Sequence, residues 1–187
     1  TLGEHLEFHG EWRYQQHYQR WQTADRPDDW GPSIDKHKQS NGWEALIGLT
    51  WANSQGHNVI AEYWFDSRAW QPPEWTALFA LANQQFKKGP AADPLRYANG
   101  QAFSVANQHR HNLLLHWHRD NTDWDPSADL VYTPEDRGVI ITAAVERELH
   151  QHWTLGASLR YFGGSSQSVY AQLPSRSLLT LKMAFLF

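Results

Sequence analysis

An all-β fold, in which eight antiparallel strands form a transmembrane β-barrel with one short loop helix, is the class this 187-residue sequence predicts. Three observations carry it. The stretch LLTLKMAFLF at 178–187 puts Leu179, Leu181, Met183, Phe185 and Phe187 on one face at period two, with Leu178, Thr180, Lys182, Ala184 and Leu186 opposite. An edge strand in water is normally blunted by charge, proline or a bulge, whereas a strand in a closed barrel can present unbroken apolar side chains to lipid. Secondly, eleven Trp, seven Tyr and eight Phe sit in a chain of mean hydropathy −0.68. A barrel that buries little in a core and rings its rims with aromatics has that combination. Thirdly, three apolar faces are bracketed by aromatics eight residues apart: Trp43 with Trp51, Trp124 with Tyr132, and Trp153 with Tyr161. At about 3.3 Å per residue and a tilt of about 40°, that spacing spans roughly 20 Å of membrane normal.

Seven segments upstream repeat the alternation. Leu6, Phe8, Gly10, Trp12 and Tyr14 face away from His5, Glu7, His9, Glu11 and Arg13. Trp43, Ala45, Ile47, Leu49 and Trp51 form the second outward face, and Val59, Ala61, Tyr63 and Phe65 the third. The fourth has Leu113, Leu115 and Trp117; the fifth has Trp124, Pro126, Ala128, Leu130 and Tyr132. Val139, Ile141, Ala143 and Val145 make the sixth, and Trp153, Leu155, Ala157, Leu159 and Tyr161 the seventh. The expected aromatic girdles comprise Trp43, Trp51, Trp117, Trp124, Tyr132, Trp153 and Tyr161.

Alternate connections are short, as outer-membrane barrels require. NSQGH at 53–57, RDNTD at 119–123 and HQH at 150–152 are expected as periplasmic turns. The outer connections are expected at about 22–42, 69–107, 134–138 and 163–175; PEDRG at 134–138 has the chemistry of a tight reversal. Within the helix-bearing outer loop at about 70–106, a helix from about Pro73 to Phe86 is expected, with Trp75, Leu78, Phe79 and Ala82 on one face. It could lie over the barrel mouth, in the lumen or on headgroups.

Composition narrows the classes further. One domain over 1–187 is expected. No segment approaches the roughly 20 apolar residues of a membrane helix, and absent cysteine excludes disulfides and thiolate metal sites. The net charge of −4, without a Lys/Arg cluster, gives no footprint for nucleic acid. The amino end has no charged, apolar, then small-residue leader and enters a strand almost at once, so a mature form, a fragment or a protein that never carried a signal is expected, with the eight strands either complete or the last eight of a larger barrel.

The inward faces collect nine acids (Glu7, Glu11, Glu44, Glu62, Asp66, Asp125, Asp129, Glu146, Glu148) against five bases (Arg13, Arg68, Arg160, Arg176, Lys182). Lumen-lining candidates are Glu11, Glu44, Glu62, Asp66, Arg68, His116, Asp129, Glu146, Arg160 and Lys182. Such a set either biases a pore toward cations or fills a narrow barrel with ion pairs. Inward Leu46, Ile60, Trp64, Leu114, Val131, Phe162 and Leu186 oppose a wholly wet interior. Histidines alternate at 116/118 and 109/111, and His5 and His9 share a face, but none lies in a ligand motif; no metal or cofactor is expected, and His118 is expected to bond Asp125. Ser127, Ser158 and His116 face inward with nothing to bring them together, so no enzyme is expected. Arg147 falls on the lipid face near the periplasmic end, where it can snorkel.

The run from Leu130 to Phe187, LVYTPEDRGVIITAAVERELHQHWTLGASLRYFGGSSQSVYAQLPSRSLLTLKMAFLF, resembles the carboxy-terminal strands of proteobacterial porin-like outer-membrane barrels. NVIAEYWFDSRAWQPPEW at 58–75 is similar to a strand and loop helix in that group. The resemblance implies a Gram-negative outer-membrane location, with membrane lipids and the barrel-assembly machinery as partners, the latter reading Phe185 and Phe187. It implies passive passage of small polar solutes, or else a non-conducting anchor or scaffold whose outer loops hold a partner protein. It carries no catalytic residues.

Overall fold

The computed structural model describes residues 5–24, 33–86, 107–120, 123–149 and 152–185. Eight strands follow the chain: β1 (Leu6–Ala24), β2 (Ser33–Ala52), β3 (His57–Asp66), β4 (His111–Arg119), β5 (Asp125–Thr133), β6 (Gly138–Leu149), β7 (Trp153–Gly163) and β8 (Ser177–Phe185). One helix, α1 (Pro72–Phe86), lies between β3 and β4. The strands form a single sheet in sequence order, β1 through β8. It is not closed into a barrel, so β1 and β8 are edges.

Contacts divide the chain into two compact units, one of residues 1–11, 46–64 and 111–187, the other of 12–45 and 65–110.

In the first unit the register bears out the alternation. Leu115 pairs with Leu130, Leu130 with Ile141, Ile141 with Tyr161, Ala157 with Leu181, and Leu159 with Leu179. Such cross-strand neighbours put every outward side chain of β4 to β8 on one surface. The turn between β2 and β3 is built by Asn53, whose Oδ1 accepts from the amides of Gln55 and His57 at 3.0 Å. Gly56 completes it at φ 81°, where a Cβ would stand 2.3 Å from the Asp120 carbonyl.

The PEDRG reversal is held by Asp136. Its Oδ1 accepts from Thr133 Oγ1 at 2.6 Å and from the Gly138 amide at 2.8 Å. Its Oδ2 accepts from the Val169 amide at 2.8 Å, and its carbonyl from Ser165 Oγ at 2.8 Å. One carboxylate therefore ties the β5–β6 turn to the β7–β8 connection. That connection, expected as a plain outer loop, carries a single 3₁₀ turn at Tyr170–Gln172 and buries Ser168, Val169 and Ala171. Burial, reinforced by the negative charge of Asp136, pushes the Tyr170 phenol up to about 12.

The second unit corrects the expected loop at 22–42. Strands β1 and β2 continue to Ala24 and from Ser33. Backbone pairing extends the hairpin there without an apolar face, which is why period-two hydrophobicity missed it. Helix α1 begins at Pro72 with a proline at its first position, and Glu74 reaches back to accept from the Gln71 amide at 2.8 Å. Trp75 is 2% exposed, its ring centroid 5.0 Å from Trp70 and 6.0 Å from His109, and its indole donates to the Gln108 carbonyl at 2.9 Å. Leu78 is equally enclosed, and Phe79 stacks on Trp75. The apolar face of the helix is thus covered within its own unit. The expected place of Ala82 on that face lies outside the described side chains.

Among the described residues, only Ala69, Trp70, Trp75, Leu78, Val169 and Ala171 are buried hydrophobic side chains. Against these six, twenty large hydrophobics are exposed, and nineteen stand at positions where alternation assigned an outward face. The exception is Leu178, 53% exposed on the opposite face of the edge strand β8.

Candidate functional site: the polar face and a charged cavity

The polar face of the first unit is threaded by short-range pairs. His9 Nε2 lies 3.0 Å from Glu62 Oε1, and Trp64 Nε1 donates to Glu62 Oε2 at 2.9 Å. His9 of β1 thus reaches the Glu62 carboxylate of β3 across the intervening strand β2, where Gly48 makes the space: a Cβ there would be 2.4 Å from His9 Nε2. His116 Nδ1 meets Asp129 Oδ1 at 2.7 Å, directly across the β4–β5 ladder. This corrects the expected His118–Asp125 bond, since His118 stands opposite Ser127. Arg160 Nε donates to Thr142 Oγ1 at 3.0 Å, and Lys182 Nζ to Glu146 Oε1 at 3.0 Å across Gly156. On the opposite, outward face Tyr63 OH lies 2.6 Å from His111 Nδ1, and Trp117 Nε1 donates to His57 Nδ1 at 3.2 Å.

The second unit contains a cavity of about 430 Å³ lined by Arg13, Gln15, Tyr18, Gln19, Arg20, Glu44, Asp66, Arg68, Ala69 and Asn107. Arg68 is its hub. Its Nε and one amine hold the two oxygens of Asp66 at 3.0 Å, its other amine donates to Gln15 Oε1 at 3.0 Å, and it also pairs with Glu44. Arg13 reaches the same Glu44 at 3.4 Å, and Asn107 donates to Asp66 at 3.2 Å. Burial, then the like charge of Arg13, pulls the Arg68 guanidinium below its ordinary pKa, while Tyr18 opposes this. Arg20 is buried and donates to Glu74 of α1, which links the helix to the cavity wall.

Of the lumen candidates, Glu44, Asp66 and Arg68 come together here. Glu62, His116 with Asp129, Arg160, and Glu146 with Lys182 form the separate pairs of the first unit, while Glu11 is exposed. Among the inward acids Glu44, Glu62, Asp66, Asp129 and Glu146 have a hydrogen-bonding or charged partner of known identity. Sequence reasoning missed Tyr18, Gln19 and Arg20. The lining positions Arg13, Gln15, Tyr18, Gln19 and Arg20 do not keep a strict alternation along β1. No apolar signal marks them.

Among the girdle residues, Trp43, Trp51, Trp124, Trp153 and Tyr161 are exposed, whereas Trp117 and Tyr132 are half-buried. Trp153 packs on Phe185 with centroids 4.8 Å apart. Phe187 of the expected assembly signal lies outside the described residues. Comparison with protein-family models, curated proteins and solved structures finds no match to this chain.

Proposed function

We propose that this chain forms the lipid-embedded wall of a Gram-negative outer-membrane channel, a porin-like barrel through which small polar solutes pass passively. The observation that carries the reading is the inverted distribution of side chains: among the described residues, twenty exposed large hydrophobics, nineteen on the alternating outward faces, against six buried ones. Half-burying each in lipid contributes about 1 kcal/mol, so the belt favours a bilayer by the order of 20 kcal/mol. In water the same surface far exceeds what a monomeric protein normally exposes.

The two open edges extend the reading. Unpaired backbone groups in hydrocarbon cost several kcal/mol each, so β1 and β8 need partner strands in a bilayer. Further strands paired to these two edges complete the barrel in our account. Membrane lipids cover the belt, and the assembly machinery reads the end of β8 through Phe185 and Phe187. The paired acids argue for a weakly selective passage rather than a ring of bare carboxylates.

The test combines intact mass, measured after detergent extraction from native outer membranes, with conductance in planar bilayers. A mass well above 21.7 kDa with discrete conductance steps that change in Glu62→Gln is the expected result. A silent bilayer with a co-purifying protein would instead favour the anchor or scaffold, with the α1 loop as contact surface.

A further inference from the structure

Arg147 interrupts the apolar face of β6, between Val145 and Leu149 and opposite Leu155 on β7. Its guanidinium carbon stands 4.8 Å from the centroid of the Trp124 ring. That contact occupies the flat face of the cation and leaves the edge of its N–H fork open. Among the described residues Arg147 has no carboxylate partner. Lys182, the other cation nearby, has its amine on Glu146.

The same Trp124 is a wall of a groove of about 410 Å³, whose other sides are Val145, Leu155, Ala157, Leu181 and Met183. The small side chain of Ala157 leaves the depression between the larger ones. All of this lies on the surface we assign to lipid. Leu155, level with Arg147 in the register, is two residues from the rim aromatic Trp153, so the guanidinium lies about 5 Å inside the rim and reaches the interface by extending outward.

We propose that this groove seats one acyl chain of a phospholipid whose phosphodiester is held by the open edge of Arg147. An apolar channel ending at a cation matches a molecule with an apolar chain ending at an anion, and an arginine fork pairs bidentately with phosphate oxygens. The proposal rests on the membrane reading above.

The chain, purified in detergent, is titrated with phosphatidylglycerol or with a diacylglycerol of the same chains, and retained lipid is counted by native mass spectrometry. One phosphatidylglycerol per chain is expected, with affinity at least about tenfold weaker in Arg147→Gln and in the groove-filling Ala157→Phe. Equal affinity in all three proteins, or diacylglycerol retained as tightly as phosphatidylglycerol, overturns the proposal. Flotation with phosphatidylcholine–phosphatidylglycerol vesicles runs alongside. Protein that floats but retains no lipid refutes this site alone, whereas protein that does not float refutes the membrane reading and the site with it.

Discussion

Leu181 distinguishes lipid from water at the surface of this sheet. It is 75% exposed and pairs with Ala157, which lies four residues from Trp153 and four from Tyr161 on β7. Four residues at about 3.3 Å, tilted by about 40°, put Ala157 roughly 10 Å from each aromatic rim. One strand spacing of about 4.8 Å at that tilt displaces Leu181 by only about 3 Å, so it sits near the midplane of the belt. In lipid, Leu181→Arg costs about 2–4 kcal/mol, a factor of roughly 30 to 900 in the folding equilibrium. Ser177→Arg, on the same strand opposite the rim residue Tyr161, costs about 0–1 kcal/mol. Were this face in water, replacing so exposed a leucine with arginine would change stability by no more than about 0.5 kcal/mol. Urea titrations of folding into lipid vesicles measure all three proteins. A Leu181→Arg variant within about 0.5 kcal/mol of the parent, or no difference between the two sites, would refute the reasoning.

The Tyr170 phenol, raised from its ordinary 10.0 to about 12, adds an alkaline limit. Between those values the folded state binds the extra proton, so stability present below pH 10 falls by about 2–3 kcal/mol as pH rises to 12; urea midpoints should show that decline, and Tyr170→Phe should remove it. Asp136→Ala leaves Thr133 Oγ1 and the amides of Gly138 and Val169 without their carboxylate, and a loss of about 3 kcal/mol with faster proteolysis in the 164–176 connection is expected. Gly48→Ala displaces His9 from Glu62 and should cost about 1 kcal/mol, read by urea titration, with a changed chemical shift of the His9 ring. Trp75→Ala removes an enclosed indole and should cost about 3–5 kcal/mol in local stability, seen as faster amide exchange in α1.

Much of the sheet was legible because a continuous apolar face imposes a local rule. A strand with one apolar face shows period two in every few residues, and that is why β4 to β8 emerge in the expected positions with Leu115, Leu130, Ile141 and Leu159 on the expected face. Where neither face is apolar the rule falls silent, as in the extensions of β1 to Ala24 and β2 from Ser33. The cavity wall runs along β1 beyond Tyr14, so Arg20 was invisible while Glu44, Asp66 and Arg68 were not. His116 and Asp129 shared a face as expected, but the β4–β5 turn sets the register, and only the ladder shows which histidine meets which aspartate. Asp136 joins Thr133 to Val169 across the chain, and no local pattern in the sequence marks so distant a partner.

Because the chain has no cysteine, single spin labels can be placed at will along β7. Labels at Leu155→Cys, Ala157→Cys and Leu159→Cys in vesicles should be accessible to oxygen and shielded from a water-soluble nickel complex, and labels at Gly156→Cys, Ser158→Cys and Arg160→Cys should show the reverse. That alternation is the direct signature of one face in lipid; equal nickel access at all six positions would contradict it.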